Sequence, residues 1–350
     1  MKRANLLSLV AVGWVASSIL AAPLFGQEVL RLTPEIDQLV ARDAKIEKIT
    51  TNPGFKWTEG PVWIRQGFLL FAEIPGNAIW KWTPPVGSTP TLFIRPSGYT
   101  GTAPYGGPEP GSNGMTVGPR GRLTVAGHAR RNVWRLEAMD PTAQITVLAD
   151  QYQGKKLNSP NDLVYGNDGA LYFTDPPYGL PTQSDRDPEK QLPFSGVYRI
   201  PHAAQQKAGA PPDRAALELL VRDLPRPNGI AFSPDGRVLY VDNSEPKKIW
   251  MRYPVRPDGT LDAGTLLCDA TSETAPGAPD GMKVDHKGNI YSAAPGGVWI
   301  ISPSGKHLGT IRMPERTSNV AWGGDDGRWL YITASTSVYR IRTVTGGPVP

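Results

Sequence analysis

S-P-N-D-L-V-Y-G-N-D-G-A-L-Y-F-T-D-P-P-Y-G, residues 159–179, is the stretch that decides the fold. It reads as a polar head at Asn161, a short apolar strand, a glycine turn at Gly169 and a second apolar strand. The spacing of eight between head and glycine returns five more times: Glu59 and Gly67, Asn113 and Gly121, Asn228 and Gly236, Asp280 and Gly288, Asn319 and Gly327. Ten residues after each head stands a bulky apolar residue, namely Leu69, Leu123, Leu171, Val238, Ile290 or Trp329. Six hairpins in one register identify a repeat architecture. Every head carries a side-chain oxygen.

Outward from each hairpin, five units continue into two further strand-like segments. The third, for example, runs Asn161–Tyr165, Ala170–Thr174, Gly196–Ile200 and Ala216–Val221. The sixth unit has only three strands and ends at Ser337–Arg342. Lys45–Thr50, alternating and β-branched, is expected to supply the missing outer strand from the other end of the chain. Such closure removes most exposed sheet edge. The expectation is therefore all-β: a six-bladed β-propeller over residues 27–350, closed by an N-terminal strand in the last blade. The 38 glycines and 36 prolines suit a turn-rich β protein and argue against long helices. Leu30–Asp43 is the one stretch with a helical pattern. Two long loops, Pro96–Ser112 and Pro176–Pro193, break the rhythm, and loops of that length are usually functional or mobile. Pro201–Asp213 reads as a surface excursion.

Residues 1–26 read as a signal peptide, with Lys2 and Arg3 ahead of an apolar run from Leu6 to Ala22. Retention as an uncleaved anchor is the alternative. Cleavage predicts a periplasmic or secreted protein without stable membrane insertion. The formal net charge of +5 falls to +3 without this segment, and the remaining basic residues are scattered, which excludes a nucleic-acid face. Cys268 is the only cysteine, so no intrachain disulfide forms and stability rests on the core, a metal, or both.

In a ring of blades, the six heads converge on one end of a central channel. Glu59 and Asp280 bring negative charge, and the asparagines bring neutral carbonyl oxygens. This hard-oxygen set suits one divalent cation, Ca²⁺ first, with Mg²⁺, Mn²⁺ or Zn²⁺ as less specific fits. The alternative is that each head only caps a strand or forms an Asx turn. That reading is weaker for Glu59 and Asp280, whose converging carboxylates repel each other without a cation. Gly60, Gly114, Gly229 and Gly281 directly follow four of the heads, which lets backbones crowd near the axis. His128, fifteen residues after Asn113, ends a returning strand near the same mouth. It reads either as a substrate contact or base, or as a structural histidine. Glu73, Asp175 and Asp242 each lie fourteen residues after a head, where they either orient ligands or tie down the next loop. Ser244–Lys247 matches S-x-x-K without its partner motifs and reads as chance. No G-x-S-x-G elbow, P-loop or zinc-type Cys/His cluster is present.

T-E-G-P-V-W at 58–63, S-P-N-D-L-V with F-T-D-P-P-Y-G, P-N-G-I-A-F-S-P-D-G at 227–236 and P-D-G-M-K-V-D at 279–285 resemble the SMP-30/gluconolactonase family. R-L-T-V-A-G-H-A-R-R-N-V at 122–133 and N-V-A-W-G-G at 319–324 are similar to its bacterial gluconolactonase branch. The resemblance spans nearly the whole chain after residue 26. It implies a propeller with one divalent cation held by Glu59, Asn228 and Asp280, with Asn161 as a further ligand or substrate contact. It also implies Asp280 as the general base, with Asn113 and His128 on the substrate side. The implied activity is metal-dependent hydrolysis of a small-molecule sugar lactone, such as glucono-1,5-lactone, to the aldonic acid. Some family members carry an arginine two residues before the Asn161 position to hold a sugar-like substrate. Ser159 stands there instead and leaves the substrate open. Another ester hydrolase, such as an arylesterase or organophosphatase, is the alternative within the fold. A non-catalytic exported ligand-binding propeller is the alternative outside catalysis, although the quartet Glu59, Asn161, Asn228 and Asp280 argues against it.

Overall fold

Each inner strand is apolar on both faces because each sheet is sandwiched between two neighbours. In Thr58–Ile64 and Thr317–Gly323 every residue is buried. The structure, a computed structural model, describes residues 27–52 and 54–350, so the expected leader at 1–26 lies outside the described residues. Six antiparallel sheets are arranged around one axis as a six-bladed propeller. Their inner strands are Thr58–Ile64, Met115–Val117, Leu163–Tyr165, Pro227–Phe232, Met282–Val284 and Thr317–Gly323, which define blades 1 to 6. Within blades 1 to 4 the strands follow one another outward as a meander, and blades 5 and 6 each take their outermost strand from the N-terminal end of the described chain.

The turn glycines explain the eight-residue register. All six, from Gly67 to Gly327, have φ between +67° and +92°, a conformation that costs a side-chain-bearing residue heavily. Six apolar clusters fill the six blade interfaces. One joins blades 6 and 1 through Trp63, Leu69, Tyr331 and Val338, and another joins blades 1 and 2 through Val62, Leu70, Met115 and Trp134. The ring closes because Ile46–Thr51 pairs antiparallel with Ser337–Arg342 as the outer strand of blade 6.

Two expectations need correction. Leu30–Asp43 is not a helix. Glu28–Arg31 pairs with His307–Arg312 as a fifth strand of blade 5, and only Pro34–Gln38 turns, as a 3₁₀ helix. Ile36, Leu39 and Val40 produce the helical spacing, but they serve to seat this short segment on the cluster between blades 5 and 6. The excursion at 201–213 is anchored. Buried Arg135 donates to Ala203 O and Gln206 O, each at 2.7 Å, and Ala203 is itself buried. Among the described residues no helix is long and apolar enough to cross a membrane.

Candidate active site

The heads stand at or just before the start of the inner strands, at one end of the channel, and in two blades irregular pairing accompanies them. The blade 1 register shifts between Glu59 and Val62, and the blade 4 register shifts between Pro227 and Ile230, so each head is re-aimed by a bulge. Glycine makes this possible. At Gly60, with φ of +49°, a Cβ would lie 2.1 Å from Asn113 O, and at Gly229 one would lie 2.3 Å from Asp280 O. Each of these glycines lets one blade touch the backbone of the next blade's head.

Five heads, Glu59, Asn113, Asn161, Asn228 and Asp280, line one cavity of about 370 Å³, within the range of small-molecule sites. All five are buried. Asn319, the sixth, does not line it. It stands behind Glu59 and donates Nδ2 to Glu59 Oε2 at 3.1 Å, while its Oδ1 accepts Val320 N. The expectation that all six heads ring the mouth is corrected to five, with the sixth supporting a neighbour.

In four of these five heads the chain ties one side-chain atom and leaves an oxygen that no described residue bonds. Glu59 Oε2 accepts Gly60 N at 2.7 Å as well as Asn319, and no hydrogen bond from a described residue ties Oε1. Asp280 Oδ1 accepts Gly281 N at 3.1 Å, and Oδ2 is left. Asn228 Nδ2 donates to Ser244 Oγ at 3.1 Å, which leaves the buried Oδ1 without a partner. Asn113 Nδ2 lies 3.1 Å from His128 Nε2, and its buried Oδ1 is also without a partner. Four hard oxygens of residues lining one cavity are therefore left with no partner among the described residues.

Electrostatics point the same way. Burial and then the charge of Asp280 push the Glu59 carboxyl well above its ordinary range. Burial pushes Asp280 up to about 8, against the pull of Arg316 and of Gly281 N. Burial, followed by Asp280, also raises Asp242. Carboxylates held this way favour a proton or a cation. Among the described residues no group of three or more His, Cys, Asp and Glu side chains is placed to hold a metal. Any ion here would rest on two carboxylates plus amide oxygens, a donor set for a hard cation.

His128 is fully buried at the cavity wall, as its position at the end of a returning strand suggests. Its Nε2 receives Asn113 Nδ2 at 3.1 Å and Asn161 Nδ2 at 3.5 Å, so the ring proton sits on Nδ1. Nδ1 lies 3.0 Å from Glu109 Oε2, without the alignment of a hydrogen bond. His128 thereby turns the Asn113 amide so that Oδ1 faces the cavity.

Several wall residues carry no repeat signal. Glu109 comes from the long loop after blade 1, and Tyr178 and Gln183 come from the one inside blade 3. The loops interlock: Gln183 Nε2 donates to Glu109 Oε1 at 2.9 Å, and Tyr105 Oη donates to Gly179 O. Gln183 has φ of +54°, a strain that a non-glycine residue holds where the surroundings fix it. Loop length was the one signal for this pair. Ser244, dismissed with the S-x-x-K match, does belong to the site. Its hydroxyl accepts from Asn228 and donates to Pro279 O at 2.7 Å, next to Asp280, while Lys247 is exposed. Ser159 is buried away from the cavity, where Oγ accepts Gly179 N and donates to Pro176 O. Glu73 and Asp175 tie down loops, accepting Lys56 N and Gly76 N, and Asn158 N and Ser159 N, respectively. Asp242 instead accepts Gly229 N, directly behind the Asn228 head.

Residues 57–336 match the family described as SMP-30/Gluconolactonase/LRE-like region. A gluconolactonase of Zymomonas mobilis is 40% identical over 91% of this chain and 87% of its own length. The structure of a gluconolactonase of Xanthomonas campestris, described as important in glucose secondary metabolic pathways, superposes with a TM-score of 0.72. The match has 27% identity and covers 90% of this chain and 95% of that one. Regucalcin of Agrobacterium tumefaciens, described as a calcium-binding protein, shares the fold with a TM-score of 0.64 at 17% identity, covering 88% of this chain and 97% of its own. The chain belongs to the SMP-30/gluconolactonase/LRE-like family.

Proposed function

We propose that the chain is a lactonase, a carboxylic ester hydrolase that opens a sugar lactone such as glucono-1,5-lactone to the aldonic acid, and that it works with one divalent cation. The observation that carries this reading is the set of four cavity-facing oxygens, on Glu59, Asn113, Asn228 and Asp280, that the chain aims and leaves unsatisfied. Glu59, Asn228 and Asp280 would hold the ion, with Asn161 beside them. Calcium suits the donors best, and the related regucalcin structure is described as calcium-binding. When bound, such an ion supplies polarisation of the ester carbonyl and charge to balance the oxyanion.

The chain's own residues supply the rest. Asp280 presents Oδ2 to the cavity with Oδ1 fixed by Gly281 N, the arrangement of a carboxylate that positions water and takes its proton. His128 is the weaker base, because its Nε2 lone pair already receives two amide groups. Asn113 and Asn161 are held by His128 at the wall and orient the substrate. Burial excludes bulk water from the carboxylates. The reading includes export, which rests on residues 1–26 alone.

The direct test is pH-stat titration of glucono-1,5-lactone hydrolysis, corrected for the spontaneous rate, with and without chelator. Acid release that disappears on chelation and returns with calcium is expected. Absence of lactone hydrolysis with any added metal, or full activity in chelator, would sink the proposal.

Ser244→Ala removes the acceptor that turns Asn228 Oδ1 toward the cavity. Its expected effect is about a tenfold loss of calcium affinity, at the low end for residues that orient ligands. Ser244→Thr keeps the hydroxyl and should restore binding. Calorimetric titration of the cation-free variants checks both.

A further inference from the structure

Arg316 belongs to the segment between the fourth strand of blade 5, His307–Arg312, and the inner strand of blade 6, Thr317–Gly323. It lines the catalytic cavity and is exposed. Its guanidinium lies over the indole of Trp57, 5.2 Å from the ring centroid, and Trp57 precedes Glu59 by two residues on the adjoining blade. Its backbone is also tied, since Ser335 Oγ donates to Arg316 O at 3.3 Å.

The other cations near this end are taken. Arg226 contacts Asp185 and Glu245, each at 3.4 Å, and lies over Tyr178. Arg131 donates to Leu157 O and Glu189 O, and Lys190 donates to Leu192 O and Phe194 O. Arg316 makes no ion pair and no side-chain hydrogen bond among the described residues. The acidic lining residues, Glu59, Glu109, Glu245 and Asp280, offer acceptors. Arg316 alone offers a permanently charged fork of five N–H donors. A sugar lactone is rich in hydroxyl and ring oxygens, each of which can accept.

We propose that Arg316, steadied on Trp57, is the specificity-determining residue that reads the polyol oxygens of the lactone at the cavity mouth. The inference rests on the lactonase reading above and adds the group that separates a polyhydroxylated lactone from a plain one. Contact with the hydroxylated part of the substrate is equal in the ground and transition states, so its loss falls on KM and leaves kcat.

The test compares wild type, Arg316→Ala and Arg316→Lys in their calcium-loaded forms on glucono-1,5-lactone and on dihydrocoumarin, a lactone without hydroxyl groups. Arg316→Ala should raise KM for the sugar lactone about 10–100-fold, the worth of a charged hydrogen bond, with kcat within about threefold. Its KM for dihydrocoumarin should not change. Arg316→Lys, which keeps the charge and loses the fork, should recover only part of the sugar-lactone KM. Calcium affinity of Arg316→Ala, titrated on the cation-free protein, should not weaken, because the change removes a positive charge. The inference is overturned if KM is unchanged, if KM rises equally for both lactones, or if kcat falls at constant KM. A wild type inactive on every lactone would instead remove the lactonase reading itself.

Discussion

Asp280→Asn is expected to remain about 10²–10⁴-fold below wild type in lactone hydrolysis with calcium fully bound, whereas Glu59→Gln should recover to within about tenfold. Each change removes one buried carboxylate charge and keeps nearly the same shape. Each also meets the same local constraint. Gly281 N needs an acceptor at position 280, and Gly60 N with Asn319 Nδ2 needs one at position 59. In both variants the amide oxygen takes that place and the amide nitrogen faces the cavity. Both should therefore bind calcium more weakly, and neither has an affinity advantage to confuse the comparison. At saturation, verified by calorimetry, the difference left is chemical: an amide at 280 cannot take a proton from water. Full recovery of Asp280→Asn would move the base to another group, with His128 next, even though its Nε2 is occupied. Equal and lasting loss in Glu59→Gln would show that the two carboxylates act as one unit.

The repeat was legible because it is a local signal. A head, a left-handed glycine and an apolar residue at fixed offsets report a hairpin wherever they occur, and all six glycines adopt positive φ. The converging heads were legible for the same reason, down to Glu59, Asn228 and Asp280. What local spacing does not encode is direction. Asn319 has the offset of the other heads, yet it packs against Glu59 and donates to its carboxylate. Residues brought in by loops have no period at all. Gln183 meets Glu109 across 74 positions of sequence, and Arg316 meets Trp57 from the other end of the chain, across the seam between blades 6 and 1. His307 carries no repeat signal either: half-buried, it stacks 3.8 Å from Trp299, and burial pushes its pKa down to about 4.

Without a cation, the protein is expected to lose thermal stability as pH rises from about 5 to about 8, and calcium should reverse the loss. The sign follows from the raised carboxyls. Unfolded Asp and Glu ionise near 4. In the folded chain, burial holds Asp280 protonated up to about 8, and burial with the Asp280 charge raises Glu59 as well. Between these limits the native state binds more protons than the unfolded state, so stability falls with pH. Below the window both states are protonated and this penalty is absent. Above it the Asp280 share of the penalty is complete. Surface carboxyls lowered by their partners, such as Glu35 beside Thr33 and Lys306, act in the opposite sense only as pH drops below the window. Asp175, raised to about 7 by burial, slopes the same way but holds loop backbone outside the cavity. The difference between the curves with calcium and with chelator therefore reports the cavity pair together with Asp242, which the Asp280 charge also raises. Calcium at a thousand times its dissociation constant would stabilise the fold by about 4 kcal/mol. Because the ion needs both carboxylates ionised, its binding should release protons near pH 6. Calorimetry in two buffers of different ionisation enthalpy reads that release. A melting temperature equally flat with pH in calcium and in chelator, together with no proton release near pH 6, would mean that the pair is already ionised and unstrained, and the shared ion would lose its physical basis.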